Sequence, residues 1–246
     1  MDSLYIVIPA YNEAENIGKV IEEWYQALTD CSDNEDSRLV IIDDGSKDDT
    51  LDIARGYKER FDRLDVITRQ NSGHGASIYY GYRYALDKGA DFIFQTDSDG
   101  QTLASEFETF WNNRNDSNVI IGNRNNRQDG IARKFVSRVL RMIVGLIFGV
   151  KVTDVNTPYR LMDNKALMDA IGYVPEEYQL TNVVLTAVFA SMAKGRLGED
   201  KKIKLEFRPI TFKPRQGGKN SINLVKISKI GLKALSDLMA IRKRLS

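Results

Sequence analysis

Two carboxylates spaced two residues apart, followed by a glycine and an amide, are the most chemically suggestive feature of the chain. They are Asp97 and Asp99, within the stretch from Phe92 to Gln101 that begins with apolar and aromatic residues. A short apolar run predicts a buried strand, and open α/β sheets bind ligands just beyond the carboxyl ends of their strands. Side chains two apart on an extended chain point the same way, so both carboxylates can face one ion. Asp99 and the Gln101 carbonyl are hard oxygen ligands that suit Mg²⁺ or Mn²⁺.

The alternative for this stretch is a polar turn that closes a strand, since Asp, Ser and Gly all favour turns. Two other polar turns also follow apolar runs, at 9–13 and at 43–46. The carboxyl ends of parallel strands lie at one edge of a sheet, so the three turns are expected to line one pocket. Their convergence argues against a role as turns alone.

Strands and helices alternate regularly through the first half, which predicts βαβ units and a mostly parallel, Rossmann-like sheet flanked by helices. The fold class is therefore α/β. The predicted strands cover 4–8, 38–42, 64–67, 90–96, 119–122 and 203–212. Three helices are predicted to begin after residues 13, 48 and 75. Further helices are predicted over 103–111, 131–150, 180–192 and 221–244, and 153–160 is predicted to be a loop.

Composition places the chain among ordinary globular proteins, with 42% hydrophobic and 28% charged residues in a length of 246. A formal charge of +1 gives no indication of nucleic-acid binding. The single cysteine, Cys31, excludes an internal disulfide and a zinc cluster and suits a reducing compartment. No signal-type segment and no uncharged apolar run of roughly 18 residues is present, which predicts a cytoplasmic protein or one attached to the inner face of a membrane.

Two amphipathic stretches in the second half suit a membrane surface. In 131–150, Lys134, Arg138 and Arg141 follow helical spacing and share one face. The basic stretch 221–244 could add attraction to anionic lipid. The alternative for both is packing on the core or on a second subunit, as in a homodimer.

Three motifs of the chain resemble those of a known protein family. Ile6 to Glu13, Asp43 to Ser46 and Asp97 to Gln101, together with the glycine-rich turn Asn71 to Gly75, resemble the signatures of family 2 glycosyltransferases with the GT-A fold. Within that family the chain is most similar to the polyprenol-phosphate sugar synthases, such as dolichol-phosphate mannose synthase. The resemblance implies a GT-A domain over 1–220, divided into a nucleotide-binding half (1–122) and an acceptor half (123–220). A basic amphipathic helix would follow at 221–246.

The resemblance also implies roles for the residues on the donor side. Asp99 and Gln101 would coordinate the divalent cation, with Asp97 near both the metal and the ribose. A pocket shaped by Tyr11, Asp44 and Arg69 would select the base. The complete nucleotide-sugar set is Pro9, Tyr11, Glu13, Asp44, Asp97, Arg215 and Lys219, the last two in a basic loop that closes on the diphosphate.

On the acceptor side, Arg124, Arg133 and Ser137 resemble the positions that hold a lipid phosphate. Asp154 matches a carboxylate near the transferred sugar, and with Arg124 and Arg133 it completes the implied catalytic set. Asp154 could act as a base toward a hydroxyl or position a phosphate acceptor. His74 is expected to be a solvated or turn-packed residue rather than a catalytic base.

The implied function is a metal-dependent, inverting transfer of a sugar from a UDP- or GDP-sugar to a polyprenyl phosphate. The alternative is transfer to a sugar hydroxyl of a lipid-linked oligosaccharide or cell-surface polysaccharide, with Asp154 as base. A nicotinamide oxidoreductase is disfavoured because no G-x-G-x-x-G follows the first strand. A non-catalytic nucleotide-binding protein would bind the donor without turnover.

Overall fold

The computed structural model describes residues 1–124, 131–214 and 235–245, and for 131–136 it describes the backbone alone. Seven strands form one sheet in the order β3-β2-β1-β4-β6-β5-β7. The strands are β1 (Leu4–Ala10), β2 (Arg38–Asp43), β3 (Leu64–Thr68), β4 (Phe92–Gln95), β5 (Val119–Arg124), β6 (Arg160–Asp163) and β7 (Leu205–Ile210). The helices are α1 (Ile17–Cys31), α2 (Thr50–Gly56), α3 (His74–Asp87), α4 (Phe107–Asn112), α5 (Ile131–Phe148), α6 (Asn164–Ile171) and α7 (Thr181–Ala193).

The sheet is mostly parallel, which confirms the predicted α/β class. Strands β1 to β4 pair in parallel, and so do β5 and β7, whereas β6 runs antiparallel between β4 and β5. Both faces of the sheet are covered by helices, which explains why the strands read as continuous apolar runs rather than alternating ones.

One face of the sheet packs against α1 and α4. The side chains predicted for the inner stripe of α1, namely Ile17, Val20, Ile21 and Trp24, are all buried. Trp24 lies 5.2 Å from the Phe94 ring, measured between ring centroids. This aromatic packing fixes β4 beneath α1 and thereby places the residues that follow β4.

The opposite face packs against α3 and α7. Every residue of α7 from Thr181 to Met192 is buried, as expected of a helix with apolar residues all round. The polar side chains at the start of α7 therefore lie inside the protein, directly behind the carboxyl ends of the strands.

Strand β1 extends further than predicted. Pro9 was expected to end it, but the strand continues to Ala10. Strand β4 pairs with β1 only from Leu4 to Val7, so the missing N–H of Pro9 faces a side of β1 where the ladder has already ended.

The second half contains the larger difference. Residues 153–160 were predicted to be a loop, but Arg160 begins β6, and neither β6 nor α6 was predicted. Strand β6 has only four residues and starts with a charged one, so its sequence lacks the apolar run that identifies a strand.

The C-terminal helix, 235–244, is the described part of the predicted 221–246 segment. Its apolar residues Leu238 and Ile241 are buried in the main core, which favours the packing alternative for this part of the segment. Residues 221–234 lie outside the described residues. Among the helices that are described, none is long and apolar enough to cross a bilayer. The division into a domain over 1–220 and a terminal helix stays a prediction.

Candidate functional site

The turns after β1 and β2 meet at the carboxyl edge of the sheet, as predicted. The Asp44 amide donates to the Ala10 carbonyl at 2.9 Å, and the Asn12 amide donates to Ser46 Oγ at 3.0 Å. Asn12 Oδ1 in turn accepts from the Lys47 amide at 2.8 Å. We call the turns 11–14, 44–48 and 96–101 the carboxyl-edge turns.

Asp44 joins these turns to the glycine-rich turn. It is 3% exposed, and its two oxygens accept from the backbone amides of Ser72 at 3.0 Å and Gly73 at 2.9 Å. Gly73 has a φ of +94°, a conformation that L side chains rarely adopt, so glycine is favoured where the residues before α7 close on this turn. The predicted contact between Asp44 and a nucleotide stays a prediction.

Asp97 lies at the carboxyl end of β4 with its side chain 25% exposed. Its Oδ1 accepts from Gln95 Nε2 at 3.2 Å, and the half-exposed His74 places Nε2 at 3.5 Å from the same oxygen. His74 is thus a neighbour of Asp97 at the rim of the site.

Asp99 and Gln101 form a tight turn just beyond Asp97. Asp99 Oδ1 accepts from the Gln101 amide at 3.1 Å. Gln101 also holds the segment after β7, because its Nε2 donates to the Lys213 carbonyl at 2.8 Å and its own carbonyl accepts from the Lys213 amide at 2.8 Å. The chain beyond β7 is thereby brought against the Asp99 turn.

This arrangement fits a divalent cation in part. Within the described ranges no three His, Cys, Asp or Glu side chains are grouped as a complete metal site. Two carboxylates on one turn are sufficient where a phosphorylated ligand brings further oxygens, which is how Mg²⁺ is commonly held. Asp97 and Asp99 fit that role, whereas the backbone carbonyl and the amide nitrogen of Gln101 are engaged by Lys213. A role for Gln101 as ligand stays a prediction.

Arg124 and Asp154 form a buried pair that we call the β5–β6 corner. Arg124 Nε donates to Asp154 Oδ2 at 2.7 Å, and Nη2 donates to Oδ1 at 2.8 Å. The two side chains are 6% and 8% exposed, and the guanidinium carbon lies 5.0 Å from the centre of the Phe212 ring. Such a bidentate pair fixes the plane of the guanidinium.

Arg160 is a buried cation directly behind this corner. Its guanidinium donates to the Thr157 carbonyl and, at 3.2 Å, to the Asn182 carbonyl. Burial lowers the pKa of Arg160 from its ordinary value. Since an arginine remains charged in proteins, it contributes a fixed positive charge beneath the site.

The other predicted site residues lie around the same edge. Pro9 is buried at the end of β1, Tyr11 is 41% exposed, and Glu13 is 7% exposed with Oε2 accepting from Asn16 Nδ2 at 2.8 Å. Ser137 lies on α5, half-buried. The structure describes only the backbone of Arg133, and Arg215 and Lys219 lie outside the described residues.

Sequence reasoning missed the polar residues behind the site. Gln95 and Asn182 are buried, and Asn182 Nδ2 donates to Gln95 Oε1 at 3.0 Å. The available signal was a polar residue ending the otherwise apolar Phe92-Ile93-Phe94-Gln95 strand. A buried amide is expected to be hydrogen-bonded, so it predicts partners without naming them.

The profile of "Glycosyl transferase family 2" matches residues 5–171, from β1 to the end of α6. The chain belongs to glycosyl transferase family 2. The match includes the carboxyl-edge turns and the β5–β6 corner, so both lie within the part of the chain that matches the family.

Several curated proteins are similar to this family 2 chain. A dolichyl-phosphate beta-glucosyltransferase of Trichomonas vaginalis is 27% identical over 166 residues, covering 60% of this chain and 50% of the relative. An undecaprenyl-phosphate 4-deoxy-4-formamido-L-arabinose transferase of Pseudomonas syringae is 28% identical, covering 68% of this chain and 48% of the relative. The chain thus covers about half the length of these two relatives. An undecaprenyl-phosphate mannosyltransferase of Micrococcus luteus is 24% identical and covers 88% of this chain and 86% of its own length.

Solved structures share the fold. Glucosyl-3-phosphoglycerate synthase from Mycobacterium tuberculosis, crystallised with Mn²⁺, UDP-glucose and phosphoglyceric acid, superimposes with a TM-score of 0.67. It is 16% identical, and the match covers 98% of this chain and 80% of that one. TarS of S. aureus gives a TM-score of 0.61 at 14% identity, covering 99% and 70%. At these identities the likeness establishes the GT-A fold.

Proposed function

We propose that this protein transfers a sugar from a nucleoside-diphosphate sugar to a polyprenyl phosphate, with inversion at the anomeric carbon. The observation that carries the acceptor class is the bidentate Arg124–Asp154 pair, in which both carboxylate oxygens accept charge-assisted hydrogen bonds. An ion pair with a guanidinium stabilises the ionised carboxylate and makes it a weaker proton acceptor than a general base should be. A hydroxyl acceptor requires such a base, whereas a phosphate is already ionised at neutral pH.

The names of the relatives support this choice, since they refer to dolichyl-phosphate and undecaprenyl-phosphate. In the proposed reaction a phosphate oxygen forms a bond to the anomeric carbon. The bond from that carbon to the diphosphate breaks on the opposite face, so the configuration inverts. Arg124, together with Arg133 and Ser137, would hold the acceptor phosphate, and Arg215 and Lys219 would cover the diphosphate.

On the donor side, Asp97 and Asp99 would hold Mg²⁺ or Mn²⁺, and Pro9, Tyr11, Glu13 and Asp44 would surround the nucleoside. The ion, when bound, neutralises charge that develops on the departing diphosphate. The chain's own contribution is to fix both carboxylates at one edge and to place Arg124 and the buried charge of Arg160 behind the reacting phosphates.

Nucleotide binding can be tested by thermal shift with UDP, GDP and their sugars, with and without Mn²⁺. One nucleotide at about 100 times its Kd should stabilise the protein by about 2.7 kcal/mol. Asp99→Asn should remove the part that depends on Mn²⁺, whereas Asp169→Asn on α6 serves as a control. A protein that responds to no nucleotide would refute the proposal.

The acceptor class can be tested with Asp154→Asn. If Asp154 orients Arg124, the variant should raise the KM for undecaprenyl phosphate and leave the pH dependence of kcat unchanged. If Asp154 is a base toward a hydroxyl, kcat should fall by about 10²–10⁴. Turnover with a lipid-linked oligosaccharide, and none with undecaprenyl phosphate, would favour the hydroxyl-directed alternative.

We further propose that α5 faces the inner surface of a membrane, where a lipid acceptor would be found. Met142 and Leu146 are 57% and 78% exposed, and Arg138 and Arg141 are exposed beside them at helical spacing. Exposed apolar side chains next to basic ones suit an anionic lipid surface. Met142→Ser with Leu146→Ser should reduce sedimentation with phosphatidylglycerol vesicles. Met168→Ser, which changes a similarly exposed methionine on α6, should not.

A further inference from the structure

A buried polar chain runs behind the carboxyl edge from Asp97 to the β5–β6 corner. Gln95, Tyr82 and Asn182 are 0%, 0% and 4% exposed. Amides and hydroxyls buried at this depth lose free energy unless they are hydrogen-bonded, so their contacts define their orientation.

The orientation of the Gln95 amide follows from these neighbours. Its Oε1 accepts from Asn182 Nδ2 at 3.0 Å and from the Tyr82 hydroxyl at 3.2 Å. Its Nε2 therefore points the other way and donates to Asp97 Oδ1 at 3.2 Å. The reverse orientation would place Oε1 against a carboxylate, which when ionised can only accept hydrogen bonds.

Asn182 links this arrangement to the other half of the site. Its side chain contacts Gln95, while its backbone carbonyl accepts from Arg160 Nη1 at 3.2 Å. Arg160 also donates to the Thr157 carbonyl, in the loop that carries Asp154. Asn182 thus contacts both Gln95, which is bonded to Asp97, and Arg160, which lies behind the β5–β6 corner.

We infer that Gln95 and Asn182 are positioning residues that hold the Asp97 carboxylate in the orientation that binds the nucleotide and its metal ion. The inference rests on the proposed function, since Asp97 must contact the donor for its orientation to matter. With Oδ1 held from within by Gln95, the carboxylate cannot rotate freely about its side-chain bonds. This removes an ordering cost from ligand binding.

The test is calorimetric titration of UDP and GDP, with and without Mn²⁺, into the full chain. Gln95→Met keeps the side-chain length but removes the donor, so the affinity in Mn²⁺ should fall about tenfold. Asn182→Leu should weaken binding about threefold to fivefold, because the amide of Gln95 loses a partner but keeps its contact with Asp97. The melting temperature without ligand is measured in parallel.

The matched control is Ser191→Ala, which removes a 2% exposed hydroxyl at the far end of α7 whose Oγ donates to the Ala187 carbonyl at 2.8 Å. It should leave the affinity unchanged. If Gln95→Met does not fold, Tyr82→Phe removes only the hydroxyl bonded to Gln95 and should weaken binding about twofold.

Two outcomes separate the inference from the proposed function. If the wild type binds a nucleotide and Gln95→Met binds it equally well, with only a lower melting temperature, Gln95 is purely structural and the inference is wrong. If the wild type binds neither nucleotide, the proposed function fails and the inference fails with it.

Discussion

The carboxyl-edge turns and the β5–β6 corner are built in different ways. The turns are held by many hydrogen bonds that involve backbone groups, such as those of Ala10, Asn12 and Asp44, each of which carries a small part of the free energy. The corner concentrates its interactions in Arg124 and Asp154, two buried charges. The comparison indicates that the carboxyl-edge turns should tolerate the loss of one contact far better than the β5–β6 corner does.

The largest effect is expected from breaking the corner. Arg124→Leu would remove both hydrogen bonds that the guanidinium donates to the buried Asp154 carboxylate, so the free energy of unfolding should fall by about 3–5 kcal/mol. Urea denaturation would measure the loss. The double variant Arg124→Leu with Asp154→Leu should recover most of the stability, since apolar residues often replace a buried ion pair at little cost.

The same double variant also tests whether the β5–β6 corner takes part in sugar transfer. It should still bind nucleotide with Mn²⁺ but transfer no sugar to undecaprenyl phosphate. A double variant that retains transfer would show that the corner has a structural role alone.

A smaller effect is expected at the boundary between the glycine-rich turn and the residues before α7. A Cβ on Gly75 would lie 2.2 Å from the Tyr178 carbonyl oxygen, which is backbone and cannot rotate away. Gly75→Ala should therefore reduce the free energy of unfolding by about 2–3 kcal/mol. Gly56→Ala, where no atom lies within 4 Å of the added Cβ, is the control and should be neutral or slightly stabilising. Equal losses in both variants would contradict the close contact.

The smallest effect is expected at the exposed Asp48 in the carboxyl-edge turns. Burial raises the pKa of Asp48, but hydrogen bonds from the Thr50 hydroxyl and from the amides of Thr50 and Ala14 together outweigh it and lower the pKa below 3.8. A carboxylate with a lowered pKa stabilises the fold above its unfolded value, and the contribution is lost as pH falls through the folded value.

Asp48→Asn should therefore cost less than about 1 kcal/mol at pH 7, since solvent screens this exposed group. The difference from wild type should shrink as the pH falls below 3.8 and through the lowered pKa of Asp48, a trend that thermal melts at decreasing pH would show. A difference that persists undiminished at pH 3 would mean that the charge of Asp48 is irrelevant.

The sequence predicts the carboxyl edge well because its strands are marked by apolar runs that end in polar turns. Strands β1, β2 and β4 and the convergence of their turns follow from that pattern. The stripe of α1 at Ile17, Val20 and Ile21 follows from helical periodicity in the same way. These signals are local, so one sequence is sufficient to read them.

The corner is harder to predict because its contacts join distant segments. Arg124 and Asp154 were both identified, but the resemblance gave them separate roles and nothing in the sequence indicates that they pair. Arg160 was placed in a loop, since a strand of four residues beginning with arginine gives no apolar signal. The hydrogen-bond partners of Asp44 could not be predicted either. They are backbone amides, which nearly every residue has, so no residue type indicates them.

The position of β6 also determines the order in which the sheet can be completed during synthesis. Strand β5 pairs with β6 and β7 and has no ladder with β4, so it remains without a strand partner when it first leaves the ribosome. Strands β1 to β4 can already pair with one another at that stage. At roughly 5–20 residues per second, the ribosome needs several seconds to reach Arg160. On this order of synthesis, β1 to β4 can form a four-stranded sheet before β6 is made, and β5 can join that sheet only after β6 has emerged.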